Sequence, residues 1–511
     1  MSEESIRHIR LNKLARLREL GLDPFGVERF DLTDSAQGLL KRFDDLQGQS
    51  ISFAGRMVSH RLMGKAGFAH LSDGDGRIQV YFRRDDLSEN EWEAFGLLDI
   101  GDHVGVTGEL FLTKTGEKTI HARSVTPLSK ALHTLPLGKE KDGERFSALS
   151  DTEQRYRHRH LDLMSNPEAR RMLLDRCRVT AAVREYFNGA GYLEVETPIL
   201  QLEAGGAAAH PFQTHYRAYD LDVKLRISLE LYLKRILCGD VPRVYEIGRV
   251  FRNEGVSNRH NPEFTMLEFY EAYTNLEGMM RRVEECFLHV ATRVFGSSVV
   301  RFGELEVDLS EPWPRVDLLP EIGRHTGLTD HDLSTLEKAQ AALGHRTVTN
   351  PVTGKRIVAD EERNLGGLIE KLLEVFVEPT LVRPTFVVGY PIETSPLAKK
   401  DPANPRMTRR FEGYVLGREV CNAFSEINDP IDQRERFEQQ LAERERGDDE
   451  AHPMDEEFLF ALECGMPPAG GCGIGIDRLA MLFTGAEHIR EVLFFPTMRP
   501  EHRRHDESDD Q

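Results

Sequence analysis

The segment from Arg243 to Tyr273 constrains this chain most, because it reads as two strands joined by a loop and commits its surroundings to a sheet with hairpin connections. The first strand alternates through Val250, Arg252 and Glu254. The return strand puts Phe264, Met266, Glu268 and Tyr270 on one face, since strand side chains repeat every two residues. Gly255 and Asn261-Pro262 supply the turn chemistry between them. An arginine, an aromatic ring and carboxylates on one face make a poor apolar core, but a suitable floor for a cationic ligand and a nucleotide. Any one of these residues alone reads as a surface salt bridge; the combination points to a site.

The sequence around that hairpin, from about 156 to 500, mixes helices with strands that follow one another directly rather than alternating as β-α-β. This predicts an α+β fold with helices packed on an antiparallel sheet. Asn166-Pro167 gives a cap and a first-turn proline, Met172, Val179, Val183 and Phe187 share a helical stripe, and Gly189 and Gly191 end the helix. A strand from Tyr192 to Thr197 then stops at Pro198, and the stretch 328–364 is polar and without clear periodicity.

Upstream, residues 46–128 read as five short strands: Ile51–Val58, Phe68–Leu71, Arg77–Phe82, His103–Leu110 and Thr119–Ala122. Asp73-Gly-Asp-Gly marks a hairpin, and the set predicts a five-stranded OB-fold β-barrel, a surface that binds oligonucleotides. Residues 129–155, with Pro136, Gly138, Lys139, Lys141 and Gly143, read as a linker. Residues 1–45 form a basic amphipathic helix and lead-in. Arg7, Arg10, Lys13, Arg16 and Arg18 stand among Ile6, Ile9, Leu14, Leu17 and Leu20, simplest as a solvated helix closed by Gly21 and Pro24. The charged tail 501–511 reads as disordered.

The 511 residues carry 66 Lys and Arg against 85 Asp and Glu, a net charge of -19, which argues against a protein that coats DNA or RNA non-specifically but leaves room for a local basic surface. No stretch approaches the ~18 apolar residues of a membrane helix, and the first residues lack the apolar core of a secretory signal, so no membrane association and a cytoplasmic location are expected. Cys177, Cys238, Cys286, Cys421, Cys464 and Cys472 form no C-x-x-C pair, so they are expected reduced and mostly buried, without disulfide or zinc. The glycines after 470 do not make a dinucleotide fingerprint, because G-x-G-x-x-G fails at Ile476, and no Walker A pattern occurs.

Phe251-Arg252-Asn-Glu254 followed by His260-x-x-x-Phe264-x-x-x-Glu268 resembles motif 2 of the class II aminoacyl-tRNA synthetases. Gly191-Tyr-Leu-Glu-Val-Glu-Thr-Pro198 resembles motif 1 and Gly471-Cys-Gly-Ile-Gly-Ile-Asp-Arg478-Leu motif 3, in the class order. Within the class, seven blocks are similar to the lysyl-tRNA synthetase family, and the likeness runs from about 10 to 500. They are Gly205-Gly-Ala-Ala-Ala-His-Pro-Phe212, Leu229-Glu-Leu-Tyr-Leu-Lys-Arg235, Arg252-Asn-Glu-Gly, Arg259-His-Asn-Pro-Glu-Phe-Thr265, Ser395-Pro-Leu-Ala398, Asn422-Ala-Phe-Ser-Glu-Ile-Asn-Asp429 and Gly447-Asp-Asp-Glu-Ala451. Ser228-Leu229 stands where the family usually has Ala-Pro, His210 where it usually has Arg, and Cys421 and Ala423 where many bacterial members have glycines.

The resemblance implies ATP-dependent activation of L-lysine to an adenylate, transfer to the 3' end of tRNA(Lys), Mg²⁺ with the ATP, and a homodimer built on motif 1. It places Arg252 and Arg478 as the catalytic arginines, with Glu254, His260, Asn261 and Phe264 also around ATP, and Glu412 and Glu419 as metal ligands. Lysine falls to Gly206, Glu230, Glu268, Tyr270, Asn422, Phe424 and Glu426, and the anticodon to Phe68, Gln79 and Glu117. Phe68 is alternatively barrel core. The residue types suit the chemistry: a guanidinium fork can bridge a carboxylate and a phosphate, and hard oxygen ligands suit Mg²⁺. Strand alternation groups Asn422, Phe424 and Glu426 but leaves Glu419 out of phase, so the assignment requires a bulge between them. The alternatives are a sibling synthetase for aspartate or asparagine, which would need a cationic side-chain receptor, and a non-catalytic paralogue acting as a binding or regulatory module.

Overall fold

The computed structural model describes residues 2–141, 144–344, 347–350, 353–446 and 452–501, so Gly143, the block 447–451 and the tail from 502 lie outside the described residues. The chain divides into two compact units, 1–170 and 171–511.

In the first unit, strands Ser50–Met63, Ala66–Ser72, Arg77–Arg83, His103–Leu112 and Lys118–Ser129 close a barrel. The third and fifth pair in parallel and every other neighbour is antiparallel. Alternation fills the interior with Ile51, Phe53, Ala69, Leu71, Ile78, Val80 and Phe82 and leaves Phe68 and His70 pointing outward. A bulge between Met57 and Ser59 bends the 14-residue first strand around the closure. Helix Glu89–Leu97 lies between the third and fourth strands and is absent from the sequence expectation. Its N-terminus carries a full capping box of Ser88 and Glu91, and its Phe95 stacks on Phe82 at 4.1 Å.

The basic N-terminal helix, Glu3–Glu19, spends its cations internally. Arg10 is buried and donates to the carbonyls of Ala131 and His133, while Lys13 pairs with Asp99, Arg16 with Glu93 and Arg18 with Asp23. The stretch read as a linker is not structureless: Leu137–Lys141 and Glu144–Ala148 pair as an antiparallel hairpin, a pattern that its polar residues hide from periodicity.

The second unit is α+β, on an eight-stranded sheet. The strand order is Arg315–Asp317, Thr385–Pro391, Met407–Val415, Arg418–Ser425, Ala469–Gly475, Glu263–Ala272, Arg243–Phe251, Leu193–Glu194. Only the two outermost pairs are parallel. Leu267, Phe269, Phe411, Ala423, Cys472 and Ile474 point to one face, where they share a core with Val179, Val183 and Phe187 of helix Pro167–Gly189 and with Met280, Val283 and Phe287 of helix Leu276–Val290. Their sheet neighbours point the other way, toward helices Glu230–Cys238 and Glu456–Glu463, and there the site forms.

The strand expected over 192–197 shrinks to Leu193–Glu194, and 328–364 contains helix Leu336–Leu343 and a small hairpin of Thr347–Thr349 with Arg356–Val358. All six cysteines are free. Cys286, Cys421 and Cys472 are buried, but Cys177 and Cys464 are exposed, so burial is less general than expected. Among the described residues no helix is long and apolar enough to cross a membrane.

Candidate active site

The glycine strand Ala469–Gly475 makes the floor. A Cβ on Gly471 would lie 2.2 Å from Glu426 Oε1 and 2.3 Å from the Tyr270 ring, so glycine there is space for the neighbouring side chains rather than a phosphate loop. Gly206, at φ +87°, approaches Ser228 closely enough that a Cβ would meet its Oγ at 2.7 Å.

Three cavities share walls above this floor. One of about 620 Å³ is lined by Gly206, Glu230, Glu268, Tyr270, Asn422 and Phe424, among others, and by Arg252. A second of about 360 Å³ shares Arg252 with the first and adds Glu254, His260, Asn261, Phe264 and Arg478. A third of about 400 Å³ shares Arg259, His260, Glu419 and Arg478 with the second and adds Glu412, Tyr390 and Tyr414. Arg252 therefore stands at the junction of the first two cavities, and Arg478 at the junction of the second and third.

In the first cavity Glu268 accepts hydrogen bonds from Ser228 Oγ at 3.0 Å, Leu229 N at 3.0 Å and Tyr270 OH at 2.9 Å. Burial and the neighbouring Glu230 push its carboxyl up to about 7, against those bonds. Ser228, where the resembled family has alanine, thus contributes a donor to this carboxylate. Glu230 and Glu426 both meet the ammonium of Lys234, which is fully buried beside the Phe424 ring at 5.2 Å. Glu426 lies on the same side of the glycine strand as Tyr270, packed against Lys234 behind the residues that line the cavity.

In the second cavity burial lowers the pKa of Arg252, and its guanidinium lies 5.2 Å from the centroid of the Phe264 ring. Arg478 pairs with Glu419 at 2.7 Å and reaches His260 Nε2 at 3.2 Å. Glu419 raises the Arg478 pKa, whereas burial and the adjacent arginine lower that of His260. Asn261 is buried and donates to the carbonyl of Glu263 at 2.7 Å. Asp477 fixes the start of helix Ile476–Thr484 by accepting from Thr265 N at 2.8 Å and pairing with Arg176 at 2.7 Å.

The third cavity depends on a bulge. Asn422 pairs with Glu412 and Cys421 with Gly413, but Glu419 pairs with Tyr414, so Val420 is an extra residue. The slip turns Glu419 onto the face of Glu412, Asn422 and Phe424, as the proposed metal pair requires. Glu412 accepts from Tyr390 OH at 2.9 Å and Tyr414 OH at 2.5 Å, and pairs with Arg410 at 2.6 Å. Burial, partly offset by Arg410 and reinforced by Glu419, pushes its carboxyl up to about 7. Two hard carboxylates that repel each other in a buried cleft suit a divalent cation. Among the described residues no cluster of three or more His, Cys, Asp and Glu side chains is set for a metal, so the remaining ligands would be phosphate oxygens or water, the usual habit of Mg²⁺.

On the barrel, Phe68 lies on the outer face 5.0 Å from the Tyr81 ring, and not in the core. Gln79 Nε2 donates to Glu117 Oε2 at 2.7 Å and its Oε1 accepts from Thr119 Oγ1 at 2.9 Å. Tyr81, Phe111 and His121 extend the same aromatic surface.

Side chains at or behind these cavities to which the sequence reading gives no role are Lys234, Arg410, Ser228 and Arg259. Glu230 and Lys234 sit four residues apart in a helix, and Arg410 alternates with Glu412 along one strand; those spacings are the signal that could find them.

A family model described as tRNA synthetases class II (D, K and N) matches residues 151–499, and one described as an OB-fold nucleic acid binding domain matches 51–128. The chain is 48% identical over 499 residues to the lysine–tRNA ligase of Moorella thermoacetica, covering 98% of this chain and 99% of the relative. It is 46% identical over 514 residues to that of Bacillus subtilis, covering 98% and 100%, and 47% identical over 492 residues to that of Thermoanaerobacter pseudethanolicus, covering 96% and 95%.

Proposed function

Because the chain belongs to the class II tRNA synthetases of the aspartate, lysine and asparagine group, we propose that it activates L-lysine with ATP and transfers it to the 3' end of tRNA(Lys). The observation that carries the reading is the pair of buried carboxylates in the cavity wall, Glu230 and Glu268, backed by Glu426 on Lys234, where the cavity meets a second one at Arg252. An aspartate pocket would need a free cation beside Glu268 and Tyr270; Arg410 and Arg436 of the cavity wall are paired with Glu412 and Asp432, and the ammonium of Lys234 is engaged by Glu230 and Glu426.

Glu230 and the backbone at Gly206 receive the α-ammonium. Glu268, Tyr270 and Glu426 set the charge and hydrogen bonding at the ε-ammonium, while Asn422 and Phe424 flank the stem. Phe264 and Arg478 take the two faces of adenine, with Glu254, His260 and Asn261 around the nucleotide. A lysine carboxylate oxygen attacks the α-phosphorus and pyrophosphate leaves. Arg252, between the two cavities, bridges the carboxylate and the α-phosphate, offsetting their repulsion and the charge that grows in the transition state. A hydroxyl of the terminal tRNA ribose then attacks the acyl carbon and AMP leaves. Glu412 and Glu419 would hold Mg²⁺, which when bound neutralises phosphate charge. Phe68 stacks on an anticodon base, and Gln79 and Glu117 hydrogen-bond to its neighbours.

Exposed apolar side chains in and after motif 1 support a homodimer: Leu193 is 54% exposed and Leu202 63%, with Ile199, Leu200, Tyr216 and Tyr219 also exposed, more apolar surface than a lone subunit would leave to water. Sedimentation of the dilute protein should give twice the chain mass; a stable, active monomer would refute the dimer. Pyrophosphate exchange into ATP, run over a panel of amino acids, should respond to lysine and not to aspartate or asparagine.

A further inference from the structure

Helix Glu230–Cys238 turns Lys234 inward, one turn beyond Glu230, so that its ammonium lies behind that wall residue of the amino-acid cavity. A lysine at 0% exposure beside the Phe424 and Phe458 rings, at 5.2 and 5.8 Å, is an unusual expense for a fold unless its charge is used. Its ammonium bonds both Glu230 and Glu426. Burial alone would strip its proton; the two carboxylates overcome burial and raise its pKa. Burial also raises the carboxyls of Glu230 and Glu426, and Lys234 is the group that most opposes that rise in both.

Other ionisable groups line the same cavity: Arg436, paired with Asp432; Arg252, at the junction with the second cavity; and Glu370, Glu393 and Glu443. Arg410, from the strand Met407–Val415, is held by Glu412 and Glu370. His452 is neutral, pushed down to about 4 by burial and by Lys234, and the Tyr270 hydroxyl is driven well up by burial. The cluster itself is Glu230, Glu268 and Glu426 against Lys234, a net of two negative charges when all are ionised. A lysine substrate brings two ammonium groups, and its carboxylate falls to Arg252.

We propose that Lys234 is a positioning residue for the substrate: its ammonium is the resident counter-ion that holds Glu230 and Glu426 in place and favours their charged forms against burial, and when all three carboxylates are charged it trims them to the two negative charges that the α- and ε-ammonium groups match. The inference rests on the reading of this cavity as the lysine pocket. Without Lys234 the three carboxylates repel one another and hold protons to higher pH, so lysine must displace those protons to bind.

Pyrophosphate exchange with the dimeric enzyme, from pH 6 to 9, tests this with Lys234→Met, Glu426→Gln and the double variant. For Lys234→Met the lysine KM at pH 7 should rise by about tenfold or more, with the ATP KM within about twofold, and the pH below which the lysine KM climbs should move up by about one unit. The double variant restores a net of two negative charges, so its lysine KM should be no more than about threefold above that of Glu426→Gln alone, a non-additivity expected of groups in direct contact. This comparison stands even if Lys234→Met does not fold. An unshifted pH profile in Lys234→Met, or a larger rise in the double variant, overturns the proposal. A Glu426→Gln enzyme with the lysine KM of the parent would instead refute the pocket reading itself.

Discussion

The barrel and the catalytic sheet obey the same two-residue alternation and use it to opposite ends. In the barrel the inward set is wholly apolar, and the outward set, Phe68, Gln79 and Glu117 included, meets solvent. In the sheet both sets are buried: Leu267 and Phe269 enter a core, while Glu268 and Tyr270 between them enter a polar cavity at 3% exposure each. A barrel face can change its ligand contacts with little consequence for folding. The sheet face binds with groups already stripped of water, which strengthens each charge contact and makes each unpaired charge costly.

Arg252→Ala should give the largest effect, lowering kcat/KM for exchange by roughly 10²- to 10³-fold, because it removes a charge-stabilising donor at the junction of two dry cavities. Comparable exchange rates in the variant and the parent would break the contrast. Phe68→Ala sharpens it from the other side. One stacked base is worth about 1 to 3 kcal/mol, so tRNA charging should fall by roughly 5- to 150-fold while exchange is kept. Equal losses in both reactions would place Phe68 back in a structural role.

The carboxyl of Glu268, at about 7, yields a smaller and pH-dependent effect. Below that pH the group holds a proton that the substrate ammonium must displace; above it the carboxylate is free to bind. The lysine KM should therefore rise by about tenfold from pH 8 to pH 6 and become nearly flat in Glu268→Gln, while the ATP KM stays level. The smallest effect belongs to the barrel unit. Ser88→Ala removes one side of the capping box and should lower stability in urea by about 1 kcal/mol, with exchange unchanged.

Alternation made the hairpin of motif 2 readable, because Phe264, Met266, Glu268 and Tyr270 are chemically unlike a core and recur at a strict period. The five barrel strands were readable for the complementary reason, apolar residues at that same period between turn signals. Lys234 was not: a lysine on an amphipathic helix reads as solvated, and only the inward turn of this helix shows that its ammonium meets carboxylates from two elements. The hairpin 137–148 was hidden by its polar composition, and helix Glu89–Leu97 was overlooked despite Ser88 and Glu91 at capping-box spacing. The phase of Glu419 could be stated as a condition but not resolved, since nothing in Arg418-Glu-Val-Cys-Asn marks which residue is extra.

That extra residue, Val420, gives the cleft a vulnerability of an unusual kind. The two acids that share this face of the sheet are encoded in chain length as much as in side-chain identity. Deleting Val420 would leave Glu412 and Glu419 both present and still send the second to the opposite side of the sheet. Val420 is buried in the core of the unit, so conservative apolar substitutions there should be mild, whereas a single-codon deletion should abolish activity: at this position the reading frame of the strand carries the function.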